Sequence, residues 1–180
     1  MNSRQLDTIL RTDPFTRGHF WGVYPSDLLP KQGVRYPCSL IANVDSHYLP
    51  GSHWVAFYFT IDGKGEFMDS YGNAPGFYCD DFEQFMRETF LERWTCNNVS
   101  LQGEHSNVCG ESAISFLLHR SRGVALEKII GMFSKSTAHN DRMVWKFCKK
   151  RFPRIFGQNR MNDNRKPLVQ SARKRLLAGH

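Results

Sequence analysis

The sequence predicts an α+β fold, a small mixed or antiparallel sheet flanked by helices, on two observations. Segments rich in β-branched and aromatic residues, separated by turn residues, lie between positions 38 and 71. Apolar residues at helical spacing lie before and after that region. The length of 180 residues and the hydrophobic content of 41% suit one domain with a core, and exclude a wholly disordered chain.

The first predicted elements follow from caps, turn residues and residue type. Ser3 is predicted to cap a short helix over residues 4–11. Strands are predicted over the apolar segments Cys38–Val44, His53–Ile61 and Glu66–Tyr71. The turn sequence Asp-Gly-Lys-Gly at 62–65 joins the last two strands into a predicted hairpin.

The remaining elements are mostly helical. Asp80 or Asp81 is predicted to cap a helix that runs to about residue 93, and Val99–Leu101 fits a short buried strand. Further helices fit residues 109–119, 124–133, 141–151 and, as a short amphipathic segment, 167–177. Helices around a small sheet complete the α+β prediction.

The net charge of +7 is concentrated at the C-terminal end. Residues 142–180 carry a charge of +11, whereas residues 1–141 carry −4. We expect one folded domain over residues 1–156 and a basic tail over residues 157–180. Phosphate contacts are predicted for basic residues of both parts, namely Lys146, Lys149, Lys150, Arg151, Arg154, Arg173, Lys174 and Arg175. A solvated helix face with a loose tail, or a nuclear-import signal, is the alternative.

The cysteine pattern argues against a disulfide framework and a zinc site. There are five cysteines, an odd number, at wide spacings, and no pair has the close spacing of structural zinc ligands. The first 15 residues lack the apolar stretch of a signal peptide, and no apolar run approaches the roughly 20 residues of a membrane span. We therefore expect a soluble protein with reduced thiols and no metal.

Cys109 is the cysteine whose surroundings fit a nucleophile. It follows a glycine-containing loop that begins at Gln102, and it opens an apolar helix. A helix N-terminus favours a thiolate, and Gly110 would let a substrate backbone come close. A small buried core residue is the commoner role of a free cysteine, so this context leaves both readings open.

A histidine and an acid in the predicted sheet are candidate partners. His53 opens a strand after the loop at 49–52, and Asp69 lies inside an apolar strand, where a carboxylate needs a partner. An edge histidine and a turn-forming aspartate are the alternatives. Simple pairing across a turn near Gly63 places Asp69 opposite Phe57, so spacing alone does not join the two residues.

Three motifs together resemble the adenovirus maturation protease (adenain) family, with its relatives in virophages and virus-like DNA transposons. They are His53-Trp-Val-Ala-Phe, Asp69-Ser-Tyr-Gly and Gln102-Gly-x5-Cys109-Gly, in this order. The resemblance implies a papain-like active site in permuted chain order. Cys109 would be the nucleophile and His53 the base and proton donor, with Asp69 orienting the imidazole. Gln102 and the Cys109 backbone N–H would form the oxyanion hole.

The resemblance implies a cysteine endopeptidase that cleaves capsid or other virion precursor proteins after small residues such as glycine. Members of the family use a disulfide-linked viral peptide and viral DNA as activators, which nominates Cys96 for the peptide and the basic end for DNA. No metal or small-molecule cofactor is implied. We expect a monomer in the virion and in the nucleus or viral factory of an infected cell.

Two other functions are consistent with the same residues. A protease that removes ubiquitin-like or SUMO-like modifiers shares this type of site and the preference for glycine before the cut. A basic, DNA-associated virion protein without activity is the alternative outside the enzymes. The complete set of Cys109, His53, Asp69 and Gln102 favours an active protease.

Overall fold

A five-stranded mixed sheet lies at the centre of the structure, a computed structural model that describes residues 1–31, 35–90 and 93–157. Its strands lie in chain order across the sheet: β1 (Phe20–Pro25), β2 (Cys38–Asn43), β3 (Trp54–Phe59), β4 (Gly65–Met68) and β5 (Trp94–Cys96). The three central strands pair antiparallel, whereas β1 pairs with β2 and β4 with β5 in parallel.

Helices cover both faces of this sheet. In chain order they are α1 (Ser3–Thr12), α2 (Asp80–Phe90), α3 (Cys109–Arg120), α4 (Leu126–Ile130), α5 (Thr137–Arg151) and α6 (Pro153–Phe156). Short 3-10 turns span Ser26–Leu28 and Pro75–Phe77. The mixed α+β architecture agrees with the sequence prediction, and no described helix is long and apolar enough to cross a membrane.

Successive side chains of the central strands point to opposite faces of the sheet, so the core has two layers. On β3, Ala56 faces α1 and α3, while its neighbour Phe57 packs in the layer that contains α2. Helix α3 is buried from Gly110 to Leu118, because it lies between the sheet and α5. The N-terminus of this helix therefore has a fixed position at the end of the strands.

The hairpin register differs from the prediction. Phe57 pairs with Phe67 and not with Asp69, because Thr60 and Lys64 close the turn one residue earlier than expected. Continuing this register puts Asp69 across from Val55, one diagonal step from His53 on the same side of the sheet. Both residues lie just outside the paired strands, where their side chains can meet.

Several element boundaries also differ. Helix α1 is capped by Asn2, which forms a reciprocal capping box with Gln5, so Ser3 is the first helical residue. The fifth strand is β5, and no strand is found at the predicted position 99–101. Helix α5 begins four residues early because Ser136 caps it. The predicted helix over 167–177 lies outside the described residues.

Candidate active site

Cys109 is the first residue of α3, as the sequence predicted. The backbone N–H groups of the first helical turn have no partner within the helix, and they point toward this end. Gly110 is buried beneath Met1 and Leu6, and a Cβ there would lie 3.2 Å from the Met1 side chain. Close packing thus holds the start of α3 against the N-terminal segment of the chain.

His53 bridges Cys109 and Asp69. Its Nε2 lies 2.6 Å from Oδ1 of Asp69, which leaves Nδ1 for the hydrogen bond with the Cys109 thiol. The His53 side chain is 5% exposed and the Asp69 side chain 0%. Three side chains that are distant in the sequence thus form one chain of hydrogen bonds, in which His53 and Asp69 are shielded from water and Cys109 is half-buried at the groove.

The pair of Cys109 and His53 is arranged to be ionised. Burial alone would lower the pKa of His53, but its hydrogen bonds with Asp69 and Cys109 outweigh burial and raise that pKa to about 10. Burial opposes the Cys109 thiolate as well, yet the hydrogen bond and charge of His53 and the backbone N–H of Trp54 lower the Cys109 pKa. An imidazolium beside a thiolate is therefore favoured at neutral pH.

Asp69 is held as an anion by several donors. Its carboxylate accepts hydrogen bonds from His53 Nε2, the Tyr71 N–H, the Asn73 N–H and side-chain amide, and the Tyr78 hydroxyl. Burial alone would raise the pKa of Asp69, but the hydrogen bond with His53 helps to lower it. The Asp69 backbone is fixed in turn by two hydrogen bonds with the Asn97 side chain.

Gln102 is buried beside this group and is fully hydrogen-bonded. Its Oε1 accepts from the Ser70 hydroxyl at 2.8 Å, and its Nε2 donates to the Ser106 carbonyl at 2.9 Å and to the Tyr71 hydroxyl at 3.1 Å. Ser70 also accepts the backbone N–H of Gln102. The turn after β4 therefore positions both Asp69 and Gln102.

Cys109 lines a groove of about 440 Å³. One wall is the loop between β2 and β3, which His47 fastens to Asp27 through a 2.6 Å contact between Nδ1 and Oδ2. Trp54 also lines the groove, and its indole N–H donates to the Met1 carbonyl at 3.2 Å.

The other predicted site residues do not belong to this chain of hydrogen bonds. Cys96 is half-buried on β5, where burial and the Asp69 charge raise the pKa of its thiol. Lys146, Lys150 and Arg154 are exposed on α5 and α6, and Lys149 lies over the Trp145 ring at 4.7 Å. Arg151 binds Asp13 at 2.8 Å, and Arg173, Lys174 and Arg175 lie outside the described residues.

Sequence reasoning did not assign a role to Tyr71, Asn73 or Tyr78, which surround the Asp69 carboxylate. Tyr71 lies in the Asp69-Ser-Tyr-Gly motif, and the short spacing of all three residues from Asp69 is the signal that the sequence offers. Among the described ranges no group of three or more His, Cys, Asp or Glu side chains is placed to hold a metal ion.

Comparison with known proteins gives one curated relative. A protein of Acanthamoeba polyphaga mimivirus, described as a putative thiol protease, is 32% identical over 113 residues. The match covers 58% of this chain and 36% of the viral protein, so the chain spans about a third of that relative. This weak, partial match supports a viral cysteine protease family, without singling out the adenovirus enzymes.

No family model matches the chain. Among solved structures, the central domain of an uncharacterized Legionella pneumophila protein aligns over 88% of this chain and 98% of that domain, with 10% identity. Its TM-score of 0.49 carries no argument about fold or function.

Proposed function

We propose that this chain is a cysteine peptidase with Cys109 as its nucleophile. The observation that carries the proposal is the chain of hydrogen bonds from Cys109, which lines the groove, through the buried His53 to the buried Asp69. An activated thiol, a base and a group that orients the base are the parts that acyl transfer to a thiol needs.

The proposed reaction has two stages. The Cys109 sulfur attacks the scissile carbonyl, a C–S bond forms, and the carbonyl oxygen becomes an oxyanion. The C–N bond then breaks as the His53 imidazolium gives its Nδ1 proton to the leaving amine. A water molecule, deprotonated by His53, attacks the thioester and releases the second product, so the thiolate is restored.

Other groups of the site would support these steps. Asp69 keeps the imidazole oriented, with Nδ1 directed at the thiol, and stabilises its positive charge. The backbone N–H of Cys109 is available to the oxyanion at the start of α3. Gln102 lies beside these groups, and its contacts with Ser70, Ser106 and Tyr71 hold its amide in place.

The substrate class we propose is a protein precursor of a virion, cleaved after a small residue such as glycine. The groove at Cys109 has room for an extended peptide, and the partial relative is named as a viral thiol protease. Both observations favour a protease over a DNA-associated virion protein without activity.

The test is peptide cleavage by the wild-type chain and by Cys109→Ala on a library that contains glycine at the cut position. We expect the wild type to cleave and the variant to lose several orders of magnitude in rate. Cys79→Ala, which removes a half-buried cysteine elsewhere, is the matched control and should retain the activity. Equal cleavage by Cys109→Ala would refute the proposal.

A further inference from the structure

The amide of Gln102 has no hydrogen left for a substrate. One N–H is directed at the Ser106 carbonyl and the other at the Tyr71 hydroxyl. The orientation of the amide is determined by Ser106, because a backbone carbonyl accepts a hydrogen bond and cannot pair with the oxygen end of the amide. An oxyanion contact by Gln102 itself would therefore require one of these two bonds to break.

The hydroxyl of Tyr71, by contrast, still has a hydrogen to donate. It accepts from Gln102, and within the described part of the chain its own O–H hydrogen meets no acceptor. A tyrosine hydroxyl can accept and donate at the same time, so one hydrogen remains for a ligand. Tyr71 is half-buried beside the site, where burial and the nearby charge of Cys109 raise its pKa. The hydroxyl thus keeps its proton in neutral and mildly alkaline solution.

The position of Tyr71 next to the reacting groups is secured from two sides. Its ring lies 4.7 Å from the His53 ring at an interplanar angle of 36°, and its backbone N–H donates to Asp69 at 3.0 Å. The side chain therefore cannot leave without disturbing the imidazole that it covers.

We propose that the Tyr71 hydroxyl is the side-chain donor of the oxyanion hole, together with the Cys109 backbone N–H. The inference rests on the proposed peptidase function. Gln102 is then a positioning residue: it donates to Tyr71 and so strengthens the hydrogen bond that Tyr71 gives to the oxyanion. Neutral hydroxyl donors, among them tyrosine, are known to serve in oxyanion holes.

The experiment compares Tyr71→Phe with the wild type in two assays. Peptide cleavage passes through an oxyanion, whereas alkylation of Cys109 by iodoacetamide needs the thiolate alone. We expect Tyr71→Phe to lower kcat by about 10²-fold or more with little change in KM. Its alkylation rate at pH 7 should stay within about twofold of the wild type, because the ring that covers His53 is retained.

Gln102→Ala should also lower kcat, and the double variant should lose no more than Tyr71→Phe alone, because the two residues act as one unit. Tyr36→Phe makes the same change on a tyrosine that is 37% exposed and does not line the groove, and should leave both rates unchanged.

Each of the following three results would contradict the inference. A Tyr71→Phe variant within about threefold of wild-type kcat, beside a strongly impaired Gln102→Ala, would make Gln102 the direct donor. Equal losses in cleavage and alkylation by Tyr71→Phe would assign Tyr71 to thiolate formation or to folding. Absence of cleavage by the wild type would overturn the peptidase function and this inference together.

Discussion

Asp69 determines the ionisation of a cysteine that it does not touch. Its carboxylate binds His53 at 2.6 Å, and the charged imidazole stabilises the Cys109 thiolate. In Asp69→Asn the pKa of His53 should fall and the pKa of Cys109 should rise, by about 1–3 units. Iodoacetamide alkylation measured from pH 4 to 10 should therefore show its midpoint moved to higher pH, with a lower rate at pH 6.

The molecule offers a matched control for this change. Asp27 forms a second carboxylate–imidazole pair, with His47, at the same 2.6 Å distance but in an exposed position. Asp27→Asn should leave the alkylation profile of Cys109 unchanged. An identical profile for Asp69→Asn and the wild type would show that the imidazole is not held as a cation by Asp69.

Each catalytic candidate has a local signal in the sequence, but these signals alone leave the alternatives open, and it is the family resemblance that joins the three residues. Cys109 follows a loop and opens a helix, His53 opens a strand, and Asp69 interrupts an apolar segment. The contact between His53 and Asp69 was not predictable from spacing, because it depends on the hairpin register. The contact between the Gln102 amide and Tyr71, 31 positions away, arises from the tertiary fold, which no local pattern records.

At the level of elements, the turn after β4, which carries Asp69, packs through Gly72 against the segment at Val99 that leads to Gln102. This glycine has a φ of +78°, and a Cβ would lie 2.6 Å from the Val99 carbonyl carbon, an atom of the backbone. Left-handed strain costs about 1–2 kcal/mol, and overpacking costs a further 1–3 kcal/mol or so. Gly72→Ala should therefore lower the free energy of unfolding, measured in urea, by the sum of both.

A substitution at Gly63 separates backbone strain from overpacking. Its φ of +77° is nearly the same, but no atom lies within 4 Å of the position of its Cβ. Gly63→Ala should thus lose about 1–2 kcal/mol from strain alone and should keep peptide cleavage. Equal destabilisation by both substitutions would mean that the segment at Val99 moves aside without cost.

Element type was easier to predict than element position. The apolar segments of β2, β3 and β4 were recognised because residue type and turn chemistry agree there. Strand β5 was missed because three residues are too few to show alternating apolar and polar side chains. This strand forms by pairing with β4. The start of α5 was missed because its first turn is polar and carries no apolar periodicity.

Across the whole molecule, Asp13 connects the N-terminal helix to the C-terminal ones. Its carboxylate is 1% exposed and binds Arg122 at 2.6 Å and Arg151 at 2.8 Å. Arg151 was predicted to contact phosphates, and the sequence could not reveal a partner 138 positions away. This pairing gives Arg151 a structural role, while Lys146 and Lys150 remain exposed.

Asp13→Asn should destabilise the fold, because it leaves two guanidinium groups facing each other without their anion. Removing one partner of a buried ion pair costs about 3–5 kcal/mol. We expect the lower value here, because both arginines still reach solvent. Urea unfolding at pH 7 measures this cost. Asp7→Asn, which breaks an exposed pair with Arg11, is the control and should cost less than about 1 kcal/mol.

The same cluster should make stability depend on acid pH. Burial alone would raise the pKa of Asp13, but the hydrogen bonds from Arg122 and Arg151 outweigh it and hold the folded pKa below the ordinary value of 3.8. The stability that Asp13 contributes is thus complete above pH 3.8 and is lost as the pH falls through the folded pKa. The difference in unfolding free energy between wild type and Asp13→Asn should therefore be constant from pH 7 to 5 and shrink below pH 4. A difference that stayed constant down to pH 2.5 would mean that the variant is weakened by packing and not by the loss of charge.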